Sequence, residues 1–455
     1  MLEIDFTKRF CILGLGLSGM AAVDFLLTKK VSRIFISESK KFEDLSSENQ
    51  VFINNLPSFI ECEFGLPHTS KYLEYDYLII SPSFPPESQI LQKAKEKNIV
   101  ILTEIDLALS EDIQIIGITG TNGKSTITAW TAHVLSSIAC GNIGLPLCKA
   151  VLDNSDLKKP FICELSSFQL THSNFIKPNI ASITNITADH LIWHGGWDNY
   201  LQAKFKITAL QDSADWLILP DNELFWPLTK ITKAQVLWLT SSNNSNQREN
   251  AAFIDEQNNL ILSIKGQKTL ICNANDIKLA GKHNLENALI VAANAYLSKL
   301  ISLDNLKQKL ISFEGLAHRL EFVREIKGKR FFNDSKATNP ESSMVALNAF
   351  DADLILLAGG EDKMTDLTDF CKLANQKASA IILYGKAAKR FKDNLMENGF
   401  QGYLKVVSDL QMALNIAYID RLEKNILLSP ACASFDQFKN FESRGNYFKQ
   451  LINDL

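Results

Sequence analysis

The chain has 455 residues, 46% of them hydrophobic and 22% charged, and a formal net charge of −4. That length exceeds what one core organises and points to about three domains of roughly 150 residues each; the composition is that of a folded globular protein rather than a disordered one. The small negative charge excludes a global electrostatic footprint for nucleic acid or an anionic membrane, so any anion must be held by a local site. The N-terminal MLEIDFTKRF is not a basic stretch leading into an apolar core, no apolar run has bilayer-spanning length, and eight scattered cysteines form no C-x-x-C pair. The expectation is a cytoplasmic protein with reduced thiols and no membrane insertion.

In chain order, Arg9 to Leu13 reads as a strand entering Gly14-Leu-Gly-Leu-Ser-Gly19, followed by a helical pattern from Met20 to Leu27 and a strand near Ile34 to Ile36. Gly14, Gly16 and Gly19 match G-x-G-x-x-G, with Glu38 near the acidic position about 20 residues on. The pattern places a diphosphate on a helix N-terminus, and a UDP-sugar satisfies it as well as a nicotinamide dinucleotide does. Strands at Tyr77 to Ile80, ahead of Ser81-Pro-Ser-Phe-Pro-Pro86, and at Ile99 to Leu102 complete a first domain, residues 1–108.

A second α/β run covers residues 109–314. It holds predicted strands at Ile113 to Thr119, Phe161 to Glu164, Ile180 to Thr184 and Trp216 to Leu219, two antiparallel strands around Ala251 to Cys272, and a closing helix after His283. From residue 315 to 455 the pattern restarts: two strands flank Lys327-Gly328, and apolar runs follow at Leu354 to Ala358, Ala380 to Tyr384 and Ile426 to Leu428. The expected architecture is α/β: a Rossmann-like first domain, a central domain with a mainly parallel sheet plus a small antiparallel one, and a Rossmann-like third domain.

The central domain opens with Gly117-Ile-Thr-Gly-Thr-Asn-Gly-Lys-Ser-Thr126. A loop between a buried strand and a helix aims backbone N–H groups at phosphate oxygens, Gly120 and Gly123 let it turn tightly, Lys124 reaches the β- and γ-phosphates, and Ser125 or Thr126 ligates Mg²⁺. Ile118 stands where the strict G-x-x-x-x-G-K-[ST] pattern has glycine, so this is a variant. Alone, the loop does not separate a kinase, an ATPase and a ligase. Glu164 and Asp189-His190 follow predicted strands and can converge on it, and Mg²⁺ prefers such oxygen ligands. His190 and His194 lack the glutamate of H-E-x-x-H, so His194 is expected not to bind metal, and Cys432 is expected to be a buried, inert thiol.

The longer motifs are Gly120-Thr-Asn-Gly-Lys-Ser-Thr126, Gly141-Asn-Ile-Gly-Leu-Pro146, Glu164-Leu-Ser-Ser-Phe-Gln-Leu170, Gly281-Lys-His-Asn284, His318-Arg319, Asp334-Ser-Lys-Ala-Thr-Asn339 and Ser429-Pro-Ala-Cys-Ala-Ser-Phe-Asp-Gln-Phe438. Together, and in this order, they resemble the Mur ligase superfamily of cell-wall synthesis, and the last resembles its D-glutamate-adding branch. The resemblance implies an enzyme that joins D-glutamate to UDP-N-acetylmuramoyl-L-alanine through an acyl phosphate, using ATP and two Mg²⁺ ions; the expected state is a monomer.

The resemblance further assigns ATP to Gly120, Thr121, Asn122, Gly123, Lys124, Ser125, Thr126, Asn284, Asn287, Arg319 and Asp334. It assigns the UDP-substrate to Gly14, Gly16, Leu17, Ser18, Gly19, Glu38, Asn142, Ser166 and His190, and D-glutamate to Thr338, Lys363, Ser434, Phe435 and Phe441. Mg²⁺ falls to Ser125, Thr126, Glu164, His190 and a carbamylated Lys204, and the catalytic group is Lys124, Glu164, His190, Lys204 and Lys336. By themselves, Lys204 reads as a solvated helix lysine and Phe435 and Phe441 as core. The chain departs from the family pattern in three places: Ile192 and Trp193 stand where Asp and Arg are frequent, Ser83 stands where glycine is common, and the uridine-side acidic position falls between Ser37 and Glu38.

Overall fold

The computed structural model describes residues 3–65, 68–279, 281–350, 353–362 and 364–455. The chain divides into two compact units, one running to Lys278 and resuming over Lys282–Phe313, the other covering Glu314–Leu455 with a short segment at Leu279. Among the described residues the strands make three sheets.

The first sheet consists of β1 (Phe10–Leu13), β2 (Ile34–Glu38), β3 (Glu61–Phe64), β4 (Tyr77–Ile80) and β5 (Val100–Leu102). They are parallel, in the order β3-β2-β1-β4-β5. β1 and β2 are buried along their whole length, which is why they read as continuous apolar runs rather than alternating ones. The order reverses between β1 and β4, and the crevice beyond their carboxyl ends is where such sheets bind ligands.

The second sheet carries β6 (Ile115–Thr119), β7 (Ala139–Gly141), β8 (Phe161–Glu164), β9 (Ile180–Ile183), β10 (Trp216–Pro220), β11 (Gln235–Leu239), β12 (Ala251–Ile254), β13 (Asn259–Ile264) and β14 (Gln267–Asn273), in the order β14-β13-β12-β11-β10-β9-β6-β8-β7. The antiparallel part holds three strands rather than two, and β12 pairs in parallel with β11, so these strands extend the main sheet instead of forming a separate one. The residues Asn185 to Thr187 lie in the loop after β9, and a second helix, Leu303–Ser312, follows the helix Lys282–Ser298. β6 lies between β8 and β9, so the phosphate loop opens at this sheet's reversal point.

One apolar cluster joins the first two sheets, running from Ile12 and Phe25 through Ile105 and Leu107 to Leu147, Phe161 and Leu217. The short helix Glu104–Ala108, capped by Thr103, lies in its middle.

The second unit contains β15 (Glu321–Ile326), β16 (Lys329–Asn333), β17 (Leu354–Gly359), β18 (Ala380–Tyr384), β19 (Tyr403–Val406) and β20 (Asn425–Leu428). Their order is β15-β16-β20-β17-β18-β19, with only the β15–β16 hairpin antiparallel. The eight cysteines are free, and burial pushes the Cys432 thiol up to about 12, as an inert side chain requires. No described helix is long and apolar enough to cross a membrane.

Candidate functional site

The phosphate loop is held open by the loop that follows β9. Thr121 N donates to the Asn185 carbonyl at 2.7 Å, Asn122 N to Asn185 Oδ1 at 2.9 Å, and the Thr184 hydroxyl to the Asn122 carbonyl at 2.6 Å. Gly120 has φ 142° and Gly123, which caps the helix Lys124–Leu135, has φ 86°; a Cβ on Gly120 would run into the Thr184 hydroxyl, so both positions require glycine. A Cβ on Gly123 would sit 2.8 Å from Asn287 Oδ1, so the start of the helix Lys282–Ser298 abuts the loop. Asn287 also bonds Asn284 at 3.1 Å. Ser125 and Thr126 are buried in the first turn of their helix.

Two lysines meet at one carbonyl. Lys124 Nζ donates to Gly120 O at 2.9 Å and Thr121 O at 2.8 Å, and Lys204 Nζ donates to the same Gly120 O at 2.6 Å. Lys204 is not the solvated helix lysine that its sequence context suggests: it is 2% exposed. Burial first, and then the neighbouring Lys124 charge, push its ammonium down to about 7, against the opposing pull of Asp189 and Glu164.

Glu164 ends β8 with its side chain buried. Its Oε1 accepts from Asn142 Nδ2 at 2.8 Å, while Oε2 is buried without a hydrogen-bond partner. A buried carboxylate oxygen lacking a donor carries a large desolvation cost, which a hard cation removes. Glu164 is paired in register with Ile118, next to the phosphate loop, so the donor set fits a phosphate-associated Mg²⁺. Ser166 lies two residues on, capping the helix Ser167–His172 in a reciprocal box with Gln169.

His190 takes a left-handed backbone, φ 51°, and its ring lies 4.8 Å from that of Phe168. His194 is buried, bonded to the Ser167 hydroxyl at 3.0 Å, and pushed by burial down to about 4. Its ring nitrogen is thus engaged with Ser167. No cluster of three metal-ligating side chains occurs among the described residues.

The first glycine loop is built differently. Gly14 has φ 89°, and a Cβ on Gly19 would collide with the Gly14 carbonyl, whereas Gly16 has open space around it. Leu17 and Ser18 start the helix Leu17–Thr28. Glu38 Oε2 accepts from Leu15 N at 2.6 Å and Oε1 from Lys40 N at 3.0 Å. Burial pushes its carboxyl up, but these backbone bonds outweigh that and leave it below its ordinary value. Ser37 points elsewhere, its hydroxyl 2.5 Å from both Glu63 Oε1 and His68 Nδ1. Both residues meet the glycine loop, Ser37 through its carbonyl, which accepts from Gly14 N at 2.9 Å, and Glu38 through its side chain.

In the second unit the assigned residues follow β16 and β20. Asp334 accepts from the Ser429 hydroxyl at 2.7 Å and Leu320 N at 3.1 Å, and burial pushes it up to about 7. Arg319 lies between His318 and Leu320, which both have positive φ, and its Nε is buried without a hydrogen-bond partner. Lys336 Nζ is 5.9 Å from the Phe441 ring centroid, and Lys336 O accepts from Thr338 N. Ser434 is buried, but Phe435 is 71% exposed and Phe441 half-buried, so neither is the core residue its sequence context suggests. Lys363 lies outside the described residues.

Arg444 was not singled out in the sequence. Fully buried, it donates to Ser335 Oγ at 2.9 Å, Ser335 O at 2.8 Å, Cys432 O at 3.1 Å and Ala433 O at 3.2 Å, tying the loop that carries Lys336 to the one that carries Ser434. The available signal was an arginine on the same helical stripe as Phe448 and Ile452. Asn185, Thr184 and Tyr200, whose hydroxyl is 2.9 Å from Thr121 Oγ1, were also missed.

Three family models match the chain: the MurD N-terminal domain over residues 9–90, the Mur ligase middle domain over 118–295, and the Mur ligase glutamate ligase domain over 318–432. The chain belongs to the Mur ligase family. Its curated relatives include the UDP-N-acetylmuramoylalanine–D-glutamate ligase of Natranaerobius thermophilus, 36% identical over 468 residues and 99% of each chain. The protein of the same name from Clostridioides difficile is 32% identical over 460 residues, 98% of this chain and 99% of that one. Among solved structures, UDP-N-acetylmuramate–alanine ligase from Thermotoga maritima superposes with a TM-score of 0.55 over 98% of this chain and 99% of its own, at 18% identity. MurF from Acinetobacter baumannii gives 0.58 over 93% and 91%, at 17% identity. These two likenesses establish the fold.

Proposed function

We propose that this protein is an ATP-dependent amide ligase that adds D-glutamate to UDP-N-acetylmuramoyl-L-alanine, in the synthesis of peptidoglycan precursors. The observation that carries the chemistry is the meeting of Lys124 and Lys204 on the Gly120 carbonyl beside Glu164, which has one buried oxygen without a donor. The names and full-length similarity of the relatives support the choice of substrates.

A carboxylate resists attack by an amine and must first be activated. The terminal carboxylate of the acceptor attacks the γ-phosphorus of ATP, the bond to the ADP oxygen breaks, and an acyl phosphate forms. The amine of D-glutamate then attacks the acyl carbon, phosphate leaves, and one proton is released. Lys124 turns from its own loop carbonyls to the transferring phosphoryl group and offsets its charge. Thr121, Asn122 and Gly123 present the loop around the phosphates, and Asn284, Asn287, Arg319 and Asp334 serve the nucleotide. Gly14, Gly16, Leu17, Ser18, Gly19 and Glu38 form the UDP side, with Asn142, Ser166 and His190 at the muramoyl-alanine end. Thr338, Lys363, Ser434, Phe435 and Phe441 take D-glutamate, and Lys336 serves the transferred phosphate.

Glu164, His190, Ser125, Thr126 and a carbamylated Lys204 would hold two Mg²⁺ ions, which supply neutralisation of phosphate charge when bound. Carbamylation needs an unprotonated amine: Nζ bonds to the carbon of CO₂ and loses a proton, leaving an anionic oxygen donor. An ammonium pushed down to about 7 supplies that amine near neutral pH. In this reading residues 1–108, 109–314 and 315–455 form the UDP, ATP and amino-acid domains of a monomeric cytoplasmic enzyme.

The test is release of phosphate from ATP by purified protein. Turnover is expected only with Mg²⁺, UDP-N-acetylmuramoyl-L-alanine and D-glutamate together. Equal turnover with L-glutamate, another amino acid or a folate acceptor would overturn the substrate assignment.

A further inference from the structure

The short helix Glu104–Ala108 contains two buried carboxyl groups that the reaction above does not use. Glu104 is 2% exposed, and burial pushes it up to about 7. Its Oε2 accepts from Cys148 N at 3.0 Å and its Oε1 from Leu147 N at 3.4 Å, so the two oxygens span consecutive amides at the start of the helix Leu147–Asp153. The Cys148 thiol donates back to the Glu104 carbonyl at 3.0 Å. Asp106 accepts from the Ser173 hydroxyl at 2.5 Å with one oxygen and from Thr103 N at 2.8 Å with the other.

These partners are neutral donors, and burying a carboxylate among neutral donors is an expensive way to gain cohesion. What the carboxylates provide is placement. Glu104 fixes the residues just after the Asn142 loop, and Asn142 in turn holds Glu164. Asp106 fixes the C-cap of the helix whose N-cap is Ser166. Glu104 also lines a small crevice with Gly14, Ser18, Gly19 and Ser81. One helical turn therefore shares a crevice with the glycine loop on one side and braces the Asn142 and Ser166 segments on the other.

We infer that Glu104 and Asp106 are positioning residues that set the spacing between the loop for the uridine diphosphate and the segments for the far end of the acceptor. The inference rests on the substrate assignment above. A spacer matters to a ligand that spans both ends and not to one that occupies a single end.

The experiment compares Glu104→Gln and Asp106→Asn with the wild type, by calorimetric binding of UDP-N-acetylmuramoyl-L-alanine and of UDP alone, and by KM for each substrate. Each variant removes one acceptor oxygen while keeping size. The full acceptor is expected to bind about 10-fold more weakly, the scale of leaving one buried hydrogen-bonding group unsatisfied, with UDP binding and the KM values for ATP and D-glutamate within about 2-fold, as for a distant independent site. Parallel weakening of UDP and the full acceptor, or a lower Tm with both affinities unchanged, would reduce the pair to structural support and overturn the inference. Failure of the wild type to bind the full acceptor would instead overturn the substrate assignment.

Discussion

The glycine loop after β1 and the phosphate loop after β6 share a plan: strand, tight turn, helix, placed where the strand order of each sheet reverses. In both, glycine is required where the backbone is left-handed or closely approached, at Gly14 and Gly19 in one and Gly120 and Gly123 in the other. Their charges are opposite. The phosphate loop draws Lys124 and Lys204 to the Gly120 carbonyl, whereas the glycine loop offers the Leu15 amide to the Glu38 carboxylate. Backbone geometry makes an anion site in either case, but only the first is equipped to stabilise charge that moves. In the proposed reaction the second is the loop for a diphosphate that does not react.

The sharpest test of that contrast is Lys124→Ala, expected to lower kcat by about 10²–10³-fold or more, the cost of losing one donor to a reacting oxyanion. Phosphate release with all substrates present measures it, and a loss under 10-fold would show that Lys124 does not meet the transferring group.

Lys204 gives a prediction with a pH sign. In the folded protein its ammonium is pushed from 10.5 down to about 7. Between those values the unfolded chain binds the proton that the folded chain rejects, so this group makes stability rise with pH across the window, and its full destabilising effect is present below about 7. Lys204→Met should therefore raise Tm at pH 6 and progressively lose that advantage toward pH 10, in CO₂-free buffer. A pH-independent difference in Tm would mean the lysine is not desolvated as described.

On the glycine loop the effects are smaller and concern geometry. Gly19→Ala drives a Cβ into the Gly14 carbonyl and should cost about 1–3 kcal/mol, as overpacking does, with a higher KM for the UDP-substrate. Gly16→Ala places its Cβ in open space on extended backbone and should stay within about 0.5 kcal/mol in denaturant unfolding. Equal effects at the two positions would break the argument that close approach, not composition, dictates the motif.

Much of this was legible from the sequence because it is local. The two loops, Glu164 at the end of β8 and the strands β17, β18 and β20 are short runs whose meaning needs no distant partner. β19 was missed because Tyr403–Val406 is a largely exposed edge strand without an apolar run. The choice between Ser37 and Glu38 was illegible because β2 is buried on both faces. Alternation puts Glu38 on the face of Ile34 and Ile36 and Ser37 on that of Phe35, but with both faces apolar nothing in the sequence shows which side chain meets the glycine loop. Burial of Lys204 and the bracing by Asn185, Glu104 and Arg444 depend on contacts between distant segments, for which sequence periodicity carries no signal.

The bonds of Arg444 in the second unit bear on how that unit forms as the chain is made. β20, the last strand in the sequence, is inserted between β16 and β17, and Arg444 reaches back 109 residues to Ser335. On a ribosome, neither the middle of that sheet nor the bridge between its two loops exists until nearly all of the unit has emerged. The phosphate loop closes earlier, with Lys204 reaching back 84 residues to Gly120. Synthesis order thus places the phosphate loop first, and a nascent chain gains the Lys204 bond that closes it well before the Arg444 bonds that join the loops of Lys336 and Ser434.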